Sequence, residues 1–258
     1  MRRRDPNKEY YDTDGVPEYE GRDTKLMKAE QVILTSLQDE IKGKPVLDLG
    51  VGAGRTTQYL RAITADYVGA DYSKKMIVLA RRRHPDATFV LCDARYIPMV
   101  DNDFSAVFFW GAGMGGVMPP TRSLIFKEAN RVLKKNGLFV FPAQNIDYGN
   151  LAGAIEFDFN LNLIAFLKDG AKQLCPGAVG IIIKLRRKLW GIGDAIGLEY
   201  AEFTRAVTPT YYISIETQVR QLLEAGFSEV TAVNMEGTVL KKGEKSTGIW
   251  VYYIARKA

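Results

Sequence analysis

The chain has 258 residues, enough for one large α/β domain with a small appendage and short for two independent domains. Hydrophobic residues make up 47%, which excludes bulk disorder, and no apolar run approaches the roughly 20 residues that cross a bilayer. The formal charge of +5 suits nucleic acid, an acidic small substrate or an anionic surface, and by itself selects none of them. Cys92 and Cys175 lie far apart without a CxxC pair, so they read as reduced thiols and no metal site is expected. Arg2, Arg3 and Arg4 are followed by Asp5 and Pro6 with no apolar stretch, which points away from a secretory signal and to a cytoplasmic protein.

Residues 1–24 are polar with interleaved tyrosines and read as an arm or cap. Residues 25–42 carry Leu26, Val32, Ile33 and Leu37 at helical spacing. A short apolar strand, Pro45–Leu49, comes next, then glycines and a helix from about Arg55. Asp66–Ala70 reads as the second strand, Ser73–Arg83 as a helix with Ser73 as its N-cap, and Thr88–Leu91 as the third strand. Arg81, Arg82 and Arg83 suit the negative end of that helix and read as a solvated helix end. Phe104–Phe109 is a strongly apolar fourth strand. Arg122–Lys135 is a helix stopped by Asn136 and Gly137, and Leu138–Phe141 is the fifth strand. Towards the end of the chain, Glu216–Ala225 is helical with Gly226 as its cap, and Glu229–Val233 and Gly248–Ile254 form an antiparallel pair. Strands alternating with helices, each strand a short apolar run, predict a doubly wound and mostly parallel sheet within a single domain over 1–258. Such sheets bind ligands at the carboxyl ends of their strands. Residues 145–213 are too many for an ordinary crossover and read as a lid and substrate insertion between strands five and six.

The first strand turns into a helix through VLDLGVGAGRTT, residues 46–57, with Asp48, Gly50, Gly52 and Gly54 at alternate positions. Glycines let the chain turn sharply and let a ligand approach without a Cβ in the way. The helix beyond them offers free N–H groups. A dinucleotide fingerprint would need a third glycine at position 55, and Arg55 stands there. Asp71 ends the second strand and can grip a ribose through two hydroxyls, a feature shared by several ribosyl cofactors. Asp93 follows the third strand. The steps from Gly50 to Asp71 and from Asp71 to Asp93 are nearly equal, one strand-helix unit each, so three strand ends line one crevice.

The DxGxGxG spacing with Asp71 and Asp93 resembles the class I, Rossmann-like S-adenosylmethionine (SAM)-dependent methyltransferase family of the small-molecule type. The resemblance covers residues 44–142 well, with a topological match over 215–258. It implies a seven-stranded sheet in the order 3-2-1-4-5-7-6 with strand seven antiparallel. It also implies SAM as cofactor and S-adenosylhomocysteine as product. The loop would meet the amino-acid end of SAM, Asp71 its ribose, Asp93 the adenine amino group and the Ala94 N–H a ring nitrogen. Tyr72 and Met76 would pack on the adenine, and the Trp110 carbonyl would receive the SAM amino group. Similar enzymes begin with an aromatic arm carrying a Tyr-acidic pair. Tyr19 with Glu20 is favoured for that part over Tyr11 with Asp12, and Arg22 lies near enough in sequence to pair with the SAM carboxylate.

Methyl transfer is an in-line displacement, to which a protein chiefly contributes alignment and desolvation. An oxygen or nitrogen acceptor can also need a base. His84, the sole histidine, reads as a surface residue at a helix end and is set aside. FWGAGM after strand four lacks the Asn/Asp-Pro-Pro-Tyr motif of amino-methylating DNA enzymes, and no cysteine suits cytosine C5 chemistry, so DNA is not expected. Asp147 and Tyr148 past strand five, and Tyr211 and Tyr212 before the last helix, are the candidate bases, with Glu199 and Tyr200 inside the insertion. Residues 178–191 are basic and amphipathic, suited to a lid helix, an anionic acceptor or contact with a membrane surface. The expected acceptor is a small or medium-sized metabolite, such as a saccharide or natural-product intermediate. An RNA methyltransferase, a nucleotide-dependent oxidoreductase (opposed by Arg55 and Asp93) and a non-catalytic SAM-binding role are the rival readings, and oligomeric state is not encoded in these motifs.

Overall fold

A computed structural model describes residues 11, 12, 19, 24–148, 194–201 and 206–258, with 112, 113, 194–201 and 206–209 described by backbone alone. The elements, in chain order, are α1 (Lys28–Ile41), β1 (Val46–Leu49), α2 (Thr57–Ile63), β2 (Tyr67–Asp71), α3 (Lys74–Arg83), β3 (Thr88–Leu91) and β4 (Phe104–Phe108). A 3-10 turn (Gly111–Met114), α4 (Pro119–Val132), β5 (Leu133–Asn145), β6 (Asp194–Ala201), β7 (Ala206–Ile213), α5 (Ile215–Glu224), β8 (Phe227–Val233) and β9 (Trp250–Lys257) follow.

The sheet runs β3-β2-β1-β4-β5, all parallel, and continues through antiparallel β9 to β8. This is the expected order, with β8 and β9 as its sixth and seventh strands. One hairpin lies outside that scheme. β6 and β7 pair antiparallel, and β7 adds in parallel to β5 at Gln144 and Asn145. Gln144 faces Trp250 of β9 and Tyr212 of β7, so the two strands flank it on opposite edges. β4 stops pairing at Phe108, opposite Val140, and β7 takes over the edge that β4 leaves.

Strand alternation sorts the core into two layers. Val46, Ala106, Phe108, Leu138, Val140 and Tyr252 face α1, α2 and α3 with Ile33, Leu37, Leu60 and Ile77. Leu47, Leu49, Val107, Phe139, Phe141 and Tyr253 face α4 and α5 with Ile125, Phe126, Val132 and Leu222. Each such side chain contributes about 1.5–3 kcal/mol when fully buried, and the neighbouring Phe126, Phe139 and Phe141 rings stack or tilt against one another.

Local chemistry sets the helix ends. Ser73 Oγ accepts from Met76 N at 3.2 Å and Ser214 Oγ from Thr217 N at 3.2 Å, each capping the helix it precedes. α4 begins three residues before Arg122 because Pro119 and Pro120 fill its first turn, where no intrahelical N–H is needed. It ends at Val132, and Asn136 (φ 64°) and Gly137 lie inside a longer β5 than expected. Among the described residues, no helix is long and apolar enough to cross a membrane.

Candidate functional site

The β1 loop is built from three glycines at positive φ, Gly50 (65°), Gly52 (56°) and Gly54 (83°), and the three do different work. A Cβ on Gly50 would lie 2.4 Å from the Phe109 ring, and one on Gly54 would lie 2.8 Å from the His84 ring. Both positions are therefore closed by packing beneath the loop as well as by backbone conformation. Among the described residues a Cβ on Gly52 would meet only Tyr19, at 3.9 Å, so Gly52 marks the more open side of the loop.

Asp48 supports the loop from below. It shares the face of Val46 and is buried, and its Oδ2 accepts from Thr56 Oγ1 at 2.7 Å and Tyr67 OH at 2.9 Å. Burial raises its carboxyl to about 6, against the pull of those two hydroxyls and of Arg55. Arg55 ties the helical side of the loop to α1. Its guanidinium grips Glu30 at 2.6 and 2.7 Å, and Glu30 also accepts the Met27 N–H at 2.9 Å. Bulk at position 55 thus serves a buried fork between two elements.

Asp71 ends β2 facing the loop. Its Oδ2 accepts from Gly52 N at 2.9 Å and its Oδ1 from Ser73 N at 2.8 Å. Burial holds its carboxyl above the usual range, and those backbone N–H groups oppose the shift. Beside it, Met76 is buried with Ala53 and Leu79, and Tyr11 and Tyr19 pack on this cluster. The Tyr11 ring lies 6.3 Å from Tyr72 and 5.9 Å from Tyr19, and burial with those two neighbours holds its phenol well above its ordinary range. Ser73 Oγ contacts Tyr11 O at 3.0 Å and Asp12 Oδ1 at 2.7 Å, tying the arm to the start of α3. Both candidate arm tyrosines therefore sit at this end, with Tyr11, rather than the favoured Tyr19, bonded to Ser73 beside Asp71. Arg22 and Glu20 lie outside the described residues.

Two readings of the α3 end need correction. His84 is half-buried, and its Nε2 bonds Gly54 O at 2.8 Å. Arg83 donates to Ala53 O at 3.2 Å and to Tyr19 O, joining loop and arm, and Arg81 donates to Phe89 O at 2.8 Å. The helix terminus is a clamp on the loop, because the loop's carbonyls point towards it. Nothing in the local sequence shows the contacts to the loop and the arm, which span 30 positions or more.

Asp93 and Ala94 lie after β3, adjoining β2. The Asp93 carboxylate is gripped by Arg95, two residues on, at 2.9 and 2.5 Å. Trp110 follows β4, with its indole buried and stacked on Phe108 at 5.1 Å.

The other side of the sheet holds the candidate bases. Asp147 follows β5, with Oδ1 3.3 Å from Lys245, and its N–H donates to Asn145 Oδ1 at 3.0 Å. Tyr148 is half-buried, and its N–H donates to Asn145 O at 3.2 Å. Tyr211 and Tyr212 are buried on opposite faces of β7. Tyr211 stacks under the Arg122 guanidinium at 4.9 Å, and its hydroxyl accepts from Gln221 Nε2 at 3.2 Å. Arg122 is buried and donates to Met114 O at 2.6 Å and Gln218 Oε1 at 2.5 Å. Tyr211 N donates to Gly115 O at 2.8 Å, and a Cβ on Gly115 would lie 2.0 Å from the Gln144 amide. Sequence reasoning did not find this junction of α4, β7, α5 and the turn after β4. Glu199 and Tyr200 lie on β6 without described side chains, and 178–191 and Cys175 lie outside the described residues.

Residues 46–137 match the family model described as a methyltransferase domain. A demethylmenaquinone methyltransferase of Paenarthrobacter aurescens is 33% identical over 108 residues, covering 42% of this chain and 42% of that protein. A fatty-acid O-methyltransferase of Mycolicibacterium smegmatis is 30% identical over 131 residues, covering 49% and 47%. The match thus spans less than half the length of these curated relatives. The structure of Burkholderia thailandensis 1,6-didemethyltoxoflavin-N1-methyltransferase, solved with 1,6-didemethyltoxoflavin and S-adenosylhomocysteine, shares the fold. Its TM-score is 0.56 at 13% identity, over 98% of this chain and 86% of that one. Residues 46–137 are thus similar to a methyltransferase domain, and the sheet on which they lie has a doubly wound, mostly parallel order.

Proposed function

We propose that the chain is a SAM-dependent methyltransferase that moves a methyl group to an oxygen or nitrogen of a small or medium-sized metabolite by in-line displacement. The observation that carries this reading is Asp71. It is an enclosed carboxylate held by the N–H groups of Gly52 and Ser73, with no cationic side chain bonded to it among the described residues. Such a carboxylate has a raised energy that hydroxyl donors would lower. An adenosyl group offers two on its ribose, so the residues fit the cofactor.

In this reading Gly50, Gly52 and Gly54 shape the loop for the amino-acid end, with Asp48 as the support beneath it. Asp71 holds the ribose, Asp93 and Ala94 the adenine edge, and Tyr72 and Met76 its faces, with the Trp110 carbonyl beyond β4. Tyr11 and Tyr19 cover the same end and exclude water from it. When bound, the cofactor supplies a methyl group already activated by its sulfonium. The chain's own part is alignment, desolvation and, where the acceptor carries a proton, its removal. Of the four candidate bases, Asp147 and Tyr148 keep part of their side chains exposed at the end of β5, whereas Tyr211 and Tyr212 are enclosed. The acceptor class follows the relatives named above, which act on small molecules.

Calorimetry with SAM, S-adenosylhomocysteine and NAD tests the reading. The first two should bind and NAD should not, and Asp71→Ala should weaken S-adenosylhomocysteine binding by about tenfold or more, one charge-assisted hydrogen-bonding group having been lost. Binding of NAD at equal or higher affinity would overturn the assignment.

A further inference from the structure

The Asp93 carboxylate carries an unusual local partner. Arg95 folds back from two positions on, with Nε 2.9 Å from Oδ1 and Nη2 2.5 Å from Oδ2, and its own backbone N–H donates to Oδ1 at 3.0 Å. The turn is closed by the Tyr96 N–H to Asp93 O at 2.9 Å. Both side chains are more than a third exposed, at 41% for Arg95 and 34% for Asp93, so the pair adds little to folding. A fork on both oxygens does something else. It fixes the plane of the carboxylate, whose ionised form accepts hydrogen bonds only.

We propose that Arg95 is a positioning residue that presents Asp93 as an oriented anionic acceptor and so sets the selectivity of the nucleoside pocket for a 6-amino purine over a 6-oxo purine. The proposal rests on the cofactor reading above. A 6-amino group donates to a carboxylate, whereas a 6-oxo group turns lone pairs towards it and is rejected. A carboxylate free to rotate loses the good partner's hydrogen bond and relieves the bad partner's repulsion, so orientation weighs on the ratio of the two affinities.

The test compares S-adenosylhomocysteine with S-inosylhomocysteine by calorimetry on the full chain, as wild type, Arg95→Ala, Arg95→Lys and Asp93→Asn. Wild type should prefer the adenosyl compound by about tenfold or more, the range of one charge-assisted hydrogen bond. Arg95→Ala should lose most of that preference with an unchanged melting temperature, as should Asp93→Asn, and Arg95→Lys should recover part of it. A role confined to holding the turn would lower both affinities together and leave their ratio intact. An unchanged ratio in Arg95→Ala therefore overturns the proposal while the cofactor reading stands. Failure of wild type to bind either compound overturns the cofactor reading itself.

Discussion

The two ends of this sheet are built by different means. At the β1–β3 end, each functional group stands within a few residues of a strand end and is held by its neighbours: Asp71 by Gly52 and Ser73, Asp93 by Arg95, and Asp48 by Thr56 and Tyr67. At the β4–β5 end, the turn after β4 is held from remote elements. Tyr211 of β7 takes Gly115 O, and Gln218 of α5 holds Arg122, which takes Met114 O eight positions before it. The first end is a repeated local motif suited to a ligand common to many proteins. The second is a longer-range assembly of side chains from α4, β7 and α5.

The largest effect that would break this contrast lies at Arg122. Arg122→Ala removes a buried side chain and the donor to Gln218 Oε1, and leaves Met114 O with the Val117 N–H alone. Urea unfolding should show a loss of about 3–5 kcal/mol from cavity and unsatisfied partners together. S-adenosylhomocysteine affinity should change far less than it does in Asp71→Ala. Comparable affinity losses in the two variants would mean that the halves are not separable.

Next comes Asp48, through pH. Its carboxyl titrates near 3.8 when the chain is unfolded and at about 6 in the native state. Between those values the native state holds a proton that the unfolded state has released, so stability falls as pH rises. The contribution is fully present below about pH 4 and lost above about pH 6. The difference in unfolding free energy between wild type and Asp48→Asn should therefore change by about 3 kcal/mol across that window, in the direction that favours the variant at higher pH. A difference independent of pH would show that Asp48 is not buried as an acid beneath the loop.

The smallest effect belongs to Arg83. Its contacts with Ala53 O and Tyr19 O are the link between arm and loop at the α3 terminus. Arg83→Ala should cost about 1 kcal/mol, a pair of hydrogen bonds at a partly exposed site. It should also speed proteolytic cleavage within residues 1–24, with cleavage elsewhere unchanged. Equal cleavage rates in variant and wild type would remove Arg83 from the arm's attachment.

The elements that sequence periodicity predicted are those whose signals are local. Ser73 as a cap, Gly226 as a helix stop (φ 94°) and the apolar runs of β1–β4 all sit where a short window places them. Boundaries moved where two signals competed. Pro119 and Pro120 started α4 early, and β5 absorbed Asn136 and Gly137 because Leu133, ahead of them, already pairs with Phe104 of β4. The β6–β7 hairpin left no comparable mark, since its attachment to β5 is only two residue pairs.

The placement of the glycines, Asp71 and Asp93 at three successive strand ends was legible because it follows from nearly equal offsets along the chain, one strand-helix unit each. The partners of these residues were not legible. That Gly50 and Gly54 are closed by Phe109 and His84, that Arg83 holds the loop and that Arg122 organises the far end all depend on side chains brought together across 30 to about 100 positions. Burial and directional hydrogen bonds make those choices only once the sheet has assembled, so they belong to the tertiary structure.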